Sequence, residues 1–313
     1  MPFGLYAPLR LVSPGKWVRR STLLVTLAAF CWGLSGGIGA ILMERGWDAF
    51  TVSFYRGAVG FLFVVIWLAL RPQRSGLSKP KLWLWSVVAG VGVAGNFAFY
   101  FLSIAEGSVA VAATLMYCAP VFVYLVSFVL GLESPSLFKC LAILLVMSGV
   151  VLLTQIYTLS AGAVTLFAVT TGLLSGLSYA MFIFGFKYAA PHGSAQAILV
   201  IAFAVLAGIL IVLGEVDQVS AAWSSASFPL LVLLGVLGAG LSFVFYIFGL
   251  NYTAPAIASM VAMVEPITAS LFGVVVLGEN LNVIQILGMA LILVTVTALS
   301  VHSSRRKASI KDA

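Results

Sequence analysis

The sequence predicts an all-α integral membrane protein with ten transmembrane helices, arranged as two inverted five-helix repeats. Three observations support this prediction. Hydrophobic residues make up 62% of the chain and charged residues only 8%, against about 25% charged residues in an ordinary soluble domain. The apolar residues are grouped in runs long enough to cross a bilayer as helices. The second half of the chain also repeats landmark residues of the first half at a constant offset.

The ten predicted spans are separated by short segments that contain turn-forming residues, such as "APHG" and "GEVDQVS". Lipid offers no hydrogen-bond partners to the backbone, so each apolar run is expected to be helical. A helix needs roughly 20 apolar residues to cross the hydrocarbon core. On this criterion the spans cover residues 22–42, 49–70, 82–104, 109–130, 137–157, 163–189, 194–213, 228–250, 255–277 and 281–301.

The positions of lysine and arginine predict the orientation in the membrane. With the N-terminus inside, all of the 16 basic residues except Arg45 and Arg56 fall in cytoplasmic tails and loops, as the positive-inside rule requires. Both termini are therefore expected to be cytoplasmic, in the plasma (cytoplasmic) membrane. The net charge of +7 reflects this topology, so no nucleic-acid partner is expected. The first residues lack a cleavage site and are interpreted as an uncleaved tail.

The repeat is marked by residue pairs that keep one offset of 146 positions, the separation of Pro120 and Pro266. The pairs are Phe97 with Phe243, Tyr100 with Tyr246, Pro120 with Pro266, and Glu133 with Glu279. Aromatic, proline and glutamate landmarks at one offset indicate a duplication. Because five spans is an odd number, the second copy lies upside down, with Glu133 and Glu279 on opposite sides of the membrane. The predicted boundaries are 1–20 for an N-terminal tail, 21–157 and 158–301 for the repeats, and 302–313 for a C-terminal tail.

Pro120 and Pro266 lie about halfway through spans 4 and 9. A proline removes one helical hydrogen bond and clashes with the carbonyl four residues earlier. The carbonyls near Met116 and Tyr117 and those near Ala262 and Met263 are therefore expected to be weakly paired or free. Neighbouring helices or water can satisfy such groups. A pair of prolines at repeat-equivalent positions favours a second interpretation, in which the two kinks line a cavity between the repeats.

Glycines in the first span of each copy predict close helix packing. The segments "GLSGG" (Gly33–Gly37) and "GLLSG" (Gly172–Gly176) place small residues four positions apart. This spacing lets another helix backbone approach closely in a membrane.

Arg56 and Glu265 are the two charged residues that fall clearly within spans. A charge at that depth costs roughly 2.5–3.5 kcal/mol on insertion scales and is functional by default. Arg56 lies near the outer end of span 2, so it either snorkels to the surface or holds a substrate carboxylate or an acidic partner. Glu265 lies near the middle of span 9, as a packed carboxyl group or as a site for a cation or proton.

Several uncharged residues complete the candidate cavity. Asn96 and its counterpart Ser242 lie midway through spans 3 and 8, where interhelical hydrogen bonding is the favoured interpretation. Aromatic side chains within the spans are suited to line a cavity for a partly apolar solute. The predicted substrate-binding residues are Trp32, Arg56, Asn96, Tyr100, Tyr117, Tyr179, Ser242, Tyr246, Met263 and Glu265, with Pro120 and Pro266 as helix kinks.

The sequence resembles the EamA-type branch of the drug/metabolite transporter superfamily. The resemblance is carried by "CWGLS" in span 1, "FYRGAVG" in span 2, "AATLMYCAPVF…LGLE" across span 4 and "ASMVAMVEPITASLFGVVVLGE" across span 9. It extends over roughly residues 22–300. The resemblance implies a secondary transporter for small metabolites, often an exporter of amino acids or related compounds, and implies no particular substrate.

Two other classes of function stay open, an intramembrane enzyme acting on small or lipid-linked molecules and a channel. The sequence contains no P-loop and no apparent nucleophile–base–acid set. No cofactor and no metal site are expected, since the three cysteines lie inside apolar runs without metal-ligand spacing. The expected partners are a small-molecule substrate, the lipid bilayer and a coupling proton or cation, with a homodimer left open.

Overall fold

The structure, a computed structural model, describes residues 14–70, 75–106, 109–132, 136–158, 165–213, 216–278 and 280–309. Within these ranges the regular structure is entirely helical, without a strand. This confirms the predicted fold class. Glu133 and Glu279, which the repeat predicts on opposite sides of the membrane, lie outside the described residues.

The helices follow the predicted spans. The first copy contains α1 (Pro14–Glu44), α2 (Ala49–Leu70), α3 (Pro80–Ala105), α4 (Val109–Met116), α5 (Ala119–Val129) and α6 (Leu137–Thr154), and then a 3₁₀ turn (Ile156–Thr158). The second copy contains α7 (Leu166–Ala189), α8 (Ala195–Leu213), α9 (Val216–Ala222), α10 (Phe228–Gly235), α11 (Ser242–Tyr252), α12 (Pro255–Val261), α13 (Val264–Phe272) and α14 (Val283–Ser309).

Three of the predicted spans are composite. Span 4 is α4 with α5, and span 9 is α12 and α13 followed by the π-helical segment Gly273–Leu277. Span 8 is α10 and α11 joined by the π-helical segment Val236–Leu241. In the described part of the chain, nine segments are long and apolar enough to cross a membrane, and the tenth, Val283–Leu299, is apolar but shorter.

One local prediction is wrong. The segment "GEVDQVS" was expected to be a turn, but residues Val216–Ala222 form the short helix α9. Two contacts hold this helix against the start of α2 and the residue that precedes it. The backbone N–H of Asp48 donates to the Gln218 side chain at 2.8 Å, and the Tyr55 hydroxyl donates to the Val219 carbonyl at 2.7 Å. Tertiary contacts of this kind stabilise a seven-residue helix that would be marginal alone.

The helix order gives the bundle two ends. The Trp47 end holds residues 45–48 and α9, and the His192 end holds residues 75–79, 190–194 and 253–254. At the His192 end the loops of the two copies touch, since the backbone N–H of Ser194 donates to the Ser75 carbonyl at 3.0 Å. Each copy therefore contributes to both ends.

The second copy is inverted relative to the first. A Cβ atom on Gly92 would lie 2.6 Å from the Phe182 nitrogen, and one on Gly95 would lie 2.9 Å from the Ser178 hydroxyl. Residue numbers rise along α3 as they fall along α7, so the two helices are antiparallel. Because α3 runs in the same direction as α1, the first helix of the second copy runs opposite to the first helix of the first copy.

The same contacts recur between α1 and span 8, as an approximate twofold relation requires. Gly238 approaches Ser35, and Gly249 approaches Ser21. Gly92 and Gly238 are counterparts, so their partners Phe182 and Ser35 are counterparts too, 147 positions apart. This register fixes which residues of α1 and α7 are equivalent, and it pairs Trp32 with Tyr179.

Both spans that contain a mid-membrane proline are interrupted, as the sequence predicts. In span 4 the N–H of Cys118 donates to the Leu115 carbonyl at 3.2 Å, and in span 9 the N–H of Glu265 donates to the Ala262 carbonyl at 2.9 Å. These bonds join residues three positions apart and tighten the backbone ahead of each proline. The expectation of a weakly paired or free Ala262 carbonyl is therefore wrong, because the local turn satisfies it.

Glycines of the opposite copy pack directly on the two interruptions. A Cβ atom on Gly33 would lie 2.6 Å from the Glu265 carbonyl oxygen, and one on Gly176 would lie 2.9 Å from the Leu115 carbonyl oxygen. These contacts confirm the predicted close-packing faces of spans 1 and 6. Irregular backbone at membrane depth is tolerated where protein covers it, and the glycines provide that cover.

We expect Pro120→Ala and Pro266→Ala to remain folded, because alanine restores the N–H that proline lacks. If the interruptions let the bundle change shape, straighter helices should disfavour one of its states. Flux in proteoliposomes should then fall several-fold while the melting temperature in detergent is maintained. Pro255→Ala is the matched control, because Pro255 begins α12, where proline is well tolerated. Normal flux in both Pro120 and Pro266 variants would contradict a role for the interruptions in transport.

Candidate functional site

A cavity of about 340 Å³ lies between the two copies and extends towards the Trp47 end of the bundle. Its wall at that end includes Met43 in the last turn of α1 and Ser53 in the first turns of α2. Gly36, in the middle of α1, is solvent-exposed because it faces this space, with no atom within 4 Å of a Cβ position. The volume falls in the range of small-molecule sites, roughly 300–1,000 Å³.

Seven of the ten predicted site residues line this cavity. They are Trp32, Arg56, Asn96, Tyr100, Tyr117, Tyr179 and Glu265. The other three, Ser242, Tyr246 and Met263, are fully buried outside it. The structure therefore brings most of the predicted residues to one place, while their role as substrate ligands stays a prediction.

Aromatic side chains form the floor of the cavity on the side facing the His192 end. The Trp32 ring centroid lies 5.2 Å from that of Phe243, 5.0 Å from that of Tyr246 and 6.4 Å from that of Tyr179. Beyond this floor the helices pack without exposure, with Ala28, Phe186 and Leu250 at most 1% exposed. We name these four rings the aromatic floor: Trp32, Tyr179 and Phe243, which line the cavity, and Tyr246, which packs against Trp32 behind them. The cavity is closed below it.

Arg56 points across the interface between the copies. Its Nε donates a hydrogen bond to the Gly238 carbonyl at 3.1 Å, and its guanidinium carbon lies 4.8 Å from the centroid of the Phe97 ring. A cation over an aromatic face is stabilised by the ring quadrupole. Of the two interpretations left open by the sequence, the structure shows the inward-facing one, since the side chain lines the cavity and is only partly exposed.

The acceptor for Arg56 belongs to the π-helical segment Val236–Leu241. A π-helical turn shifts the regular hydrogen-bond ladder and is found frequently at functional sites. The corresponding stretch of the first copy, Gly90–Gly95, is regular α-helix. Sequence reasoning missed this difference. The close spacing of Gly235, Gly238 and Gly240 was its available signal, because glycine lowers the cost of irregular helix geometry.

Glu265 reaches the cavity from the first turn of α13, directly after the interruption of span 9. The start of a helix favours a carboxylate, because the N–H dipoles point towards it. The carboxylate accepts no hydrogen bond from a described residue, but it lies close enough to Arg56 for an electrostatic interaction. Its counterpart in the first copy is the buried Ala119, so the interruption itself does not require the charge.

Two buried hydrogen-bond donors in the cavity wall lack a partner among the described residues. These are the Trp32 indole nitrogen and the Tyr179 hydroxyl, on side chains that are each 3% exposed. Leaving such a group unpaired costs about 1–3 kcal/mol. Unpaired buried donors of this kind are typical of a site that binds a polar ligand group or ordered water.

Asn96 and Ser242 differ although they are repeat counterparts. The Asn96 amide donates to the Ser175 carbonyl and hydroxyl, each at 3.1 Å, and the Ser175 hydroxyl donates back to the Asn96 carbonyl at 2.8 Å. Interhelical bonding of Asn96 is thus confirmed. The same expectation is wrong for Ser242, whose buried hydroxyl has no partner in the described part of the chain.

Sequence reasoning missed several cavity residues, because composition does not reveal which way each helix face points. Cavity-lining residues that the sequence did not predict include Ser35, Phe97, Phe101, Phe182 and Phe243. Phe97 and Phe243 are repeat counterparts, and this equivalence is the sequence signal that could have identified them.

The fold defines an integral membrane protein of two inverted repeats with a cavity at their interface, and comparison with known proteins assigns the family. The profile of the EamA-like transporter family matches twice, over residues 19–155 and 166–301. An uncharacterized transporter from Archaeoglobus fulgidus is 30% identical over 267 residues, which span 83% of this chain and 90% of that protein. The chain belongs to the EamA-like transporter family, which confirms the resemblance seen in the sequence.

A solved structure supports the same fold. A protein of known crystal structure superposes with a TM-score of 0.71 over 91% of this chain and 98% of its own length. The two sequences are 18% identical, so this likeness concerns the fold alone.

Replacement of Arg56 tests whether it recognises an anionic group. Arg56→Lys keeps the charge but loses the planar fork, and Arg56→Ala loses both. A hydrogen bond to a charged group contributes about 1.5–3 kcal/mol, so the apparent KM for a transported acid should rise roughly 10- to 100-fold in Arg56→Ala. Arg45→Ala, at the exposed Trp47 end, should leave KM unchanged. A normal KM in Arg56→Ala at normal expression would rule out this role.

Proposed function

We propose that the protein is a secondary transporter that moves small metabolites such as amino acids across the cytoplasmic membrane, in the direction of export. The observation that carries the proposal is the cavity at the interface of two inverted repeats, lined by one cation and one carboxyl group. Sites at the repeat interface near the midplane are characteristic of transporters with inverted repeats. Family membership supports transport, and the chemistry of the cavity supports the kind of solute.

The lining matches a small solute that carries both charges. Arg56 offers guanidinium nitrogens to a carboxylate, and Glu265 offers a carboxylate to an ammonium group. The unpaired donors of Trp32 and Tyr179 add hydrogen bonds at the floor. Aromatic walls suit the apolar part of the solute. An amino acid combines these features at a size that the cavity admits.

Glu265 also supports coupling to a proton or cation. A carboxyl group within a membrane span is characteristic of a proton relay or ion site. Because Glu265 shares the cavity with Arg56, proton or cation binding there changes the charge that the substrate meets. The cavity is lined by residues of a single chain, so a homodimer stays a prediction that transport itself does not require.

Alternating access between the two ends provides the transport mechanism in this proposal. In this structure the cavity extends towards the Trp47 end and is closed at the His192 end. On the topology that the basic residues predict, the His192 end is cytoplasmic, so this state faces outwards. Inverted repeats that exchange conformations would generate the opposite state.

The two alternatives fit the cavity less well. A channel conducts through a continuous pathway, whereas here the aromatic floor ends the cavity. An enzyme for lipid-linked substrates needs reacting groups at a membrane interface. The cavity instead places its two charged residues, Arg56 and Glu265, within the spans.

Reconstitution into proteoliposomes tests the function together with Glu265. We expect saturable, counterflow-stimulated uptake of at least one compound from a panel of labelled amino acids and metabolites. Glu265→Gln should preserve the melting temperature, because the amide matches a protonated carboxyl group in shape, while it flattens the pH or ion dependence of flux. Glu44→Gln, at the exposed end of α1, is the matched control.

Three results would contradict parts of this account. Non-saturable ion flux would indicate a channel, and chemical conversion of a panel compound would indicate an enzyme. An unchanged rate and pH profile in Glu265→Gln would make Glu265 a packing residue.

A further inference from the structure

Lys187 ties the end of α7 to the end of α11 at the His192 end of the bundle. Its Nζ donates hydrogen bonds to three backbone carbonyls, those of Leu250 at 2.6 Å, Thr253 at 3.1 Å and Asn251 at 3.2 Å. The last carbonyls of a helix have no intrahelical partner and carry the negative end of the helix dipole. An ammonium group placed there satisfies them and forms strong, charge-assisted hydrogen bonds.

A second bond joins the same segment to α1. The Thr253 hydroxyl donates to the Ser21 hydroxyl at 3.1 Å, and both residues are buried. The start of α1, the end of α7 and the end of α11 therefore meet at one point. These are the helices that carry the aromatic floor, and the junction joins them at the His192 end, on the far side of the floor from the cavity.

Two hydroxyl groups on α11, the helix whose end Lys187 binds, are enclosed without hydrogen-bond partners among the described residues. The Ser242 and Tyr246 side chains are both 0% exposed, and neither hydroxyl has a partner among the described residues. Their counterparts in the first copy, Asn96 and Tyr100, line the open cavity. Equivalent polar side chains therefore face the cavity in the first copy and are enclosed by protein in the second.

The corresponding junction at the Trp47 end lacks the lysine. The register between α1 and α7 pairs Lys187 with Ala40, which lines the open cavity. At that end the Glu106 carbonyl, which follows the end of α3, accepts a hydrogen bond from the Thr165 hydroxyl at 3.0 Å, and position 40 offers it no charged donor. The two copies are therefore unequal at the positions that close the two ends.

We propose that Lys187 is the latch that holds the His192 end closed, and that its release exposes Ser242 and Tyr246 as the second half of the substrate path. The proposal rests on the transport function proposed above. Lys187 holds the His192 end closed, whereas its counterpart Ala40 provides no such bonds at the Trp47 end. This difference favours the state in which the cavity reaches the Trp47 end. Opening the latch requires the ammonium group to leave three carbonyls together.

Alkylation of a single cysteine measures this opening without a substrate. Ser242→Cys is introduced after Cys31, Cys118 and Cys140 are replaced by alanine, and its reaction with N-ethylmaleimide is timed in detergent-solubilised protein. Lys187→Ala should accelerate this reaction about tenfold or more, because hydrogen bonds to a charged group are strong enough to shift an equilibrium by that factor. Lys81→Ala, which removes an exposed lysine from the same end, should leave the rate unchanged.

General loosening of the protein must be separated from release of the latch. Thr51→Cys provides the matched reporter, because Thr51 is also 0% exposed but lies in the first turn of α2 at the opposite, Trp47 end. Its alkylation rate should be the same with Lys187 and with Lys187→Ala. Acceleration of both reporters to the same extent would overturn the latch in favour of a general structural role for Lys187.

Transfer of the latch to the other end gives an independent result if Lys187→Ala does not fold. Ala40→Lys should slow alkylation of a Ser53→Cys reporter, which lines the open cavity, and should accelerate alkylation of Ser242→Cys. If Lys187→Ala folds, an unchanged rate of Ser242→Cys alkylation in that protein would overturn the proposal. If Lys187→Ala does not fold, an unchanged rate of Ser242→Cys alkylation in Ala40→Lys would overturn it. Accelerated alkylation in a protein that transports no panel compound would reject the proposed function and retain the latch.

Discussion

Each interrupted span is held against glycine residues of the first span of the opposite copy, and the rest of the structure depends on this packing. Lipid cannot satisfy irregular backbone, so the interruptions before Pro120 and Pro266 have to lie inside protein. Gly33 and Gly176 let the broken segments approach closely enough to be covered. This requirement places both interruptions at the interface between the copies. It therefore also places Glu265, one residue before a proline, at the cavity.

The backbone of the two copies is close to symmetric, whereas their charged residues are not. Glu265 corresponds to Ala119, and Lys187 corresponds to Ala40. Arg56 receives its backbone acceptor from a π-helical segment found only in the second of the two equivalent stretches. In the proposed mechanism the duplication supplies two similar half-sites that exchange conformations. We propose that the unequal charges give the shared cavity its chemistry and hold one end closed more firmly than the other.

Much of this architecture could be predicted from the sequence, because apolar runs, mid-span prolines and repeat landmarks are local features. Seven predicted residues reached the cavity for the same reason, since charge and aromaticity at membrane depth are visible in the chain. The enclosure of Ser242 and Tyr246 could not be predicted, because it depends on which end of the bundle is closed. The π-helical segment Val236–Leu241 and helix α9 also depend on tertiary contacts. The sequence shows Lys187 only as a topology signal, because its carbonyl acceptors lie more than 60 positions away.

In this account the substrate passes through the cavity. Blocking the cavity with a bulky group attached to its wall tests this most directly. Gly36 faces the cavity and Gly208 is exposed outside it, and a Cβ atom at either position would have no neighbour within 4 Å. In a cysteine-free background, complete alkylation of Gly36→Cys with a bulky maleimide should abolish flux in proteoliposomes, and alkylation of Gly208→Cys should leave flux intact. Full flux through alkylated Gly36→Cys would contradict the account.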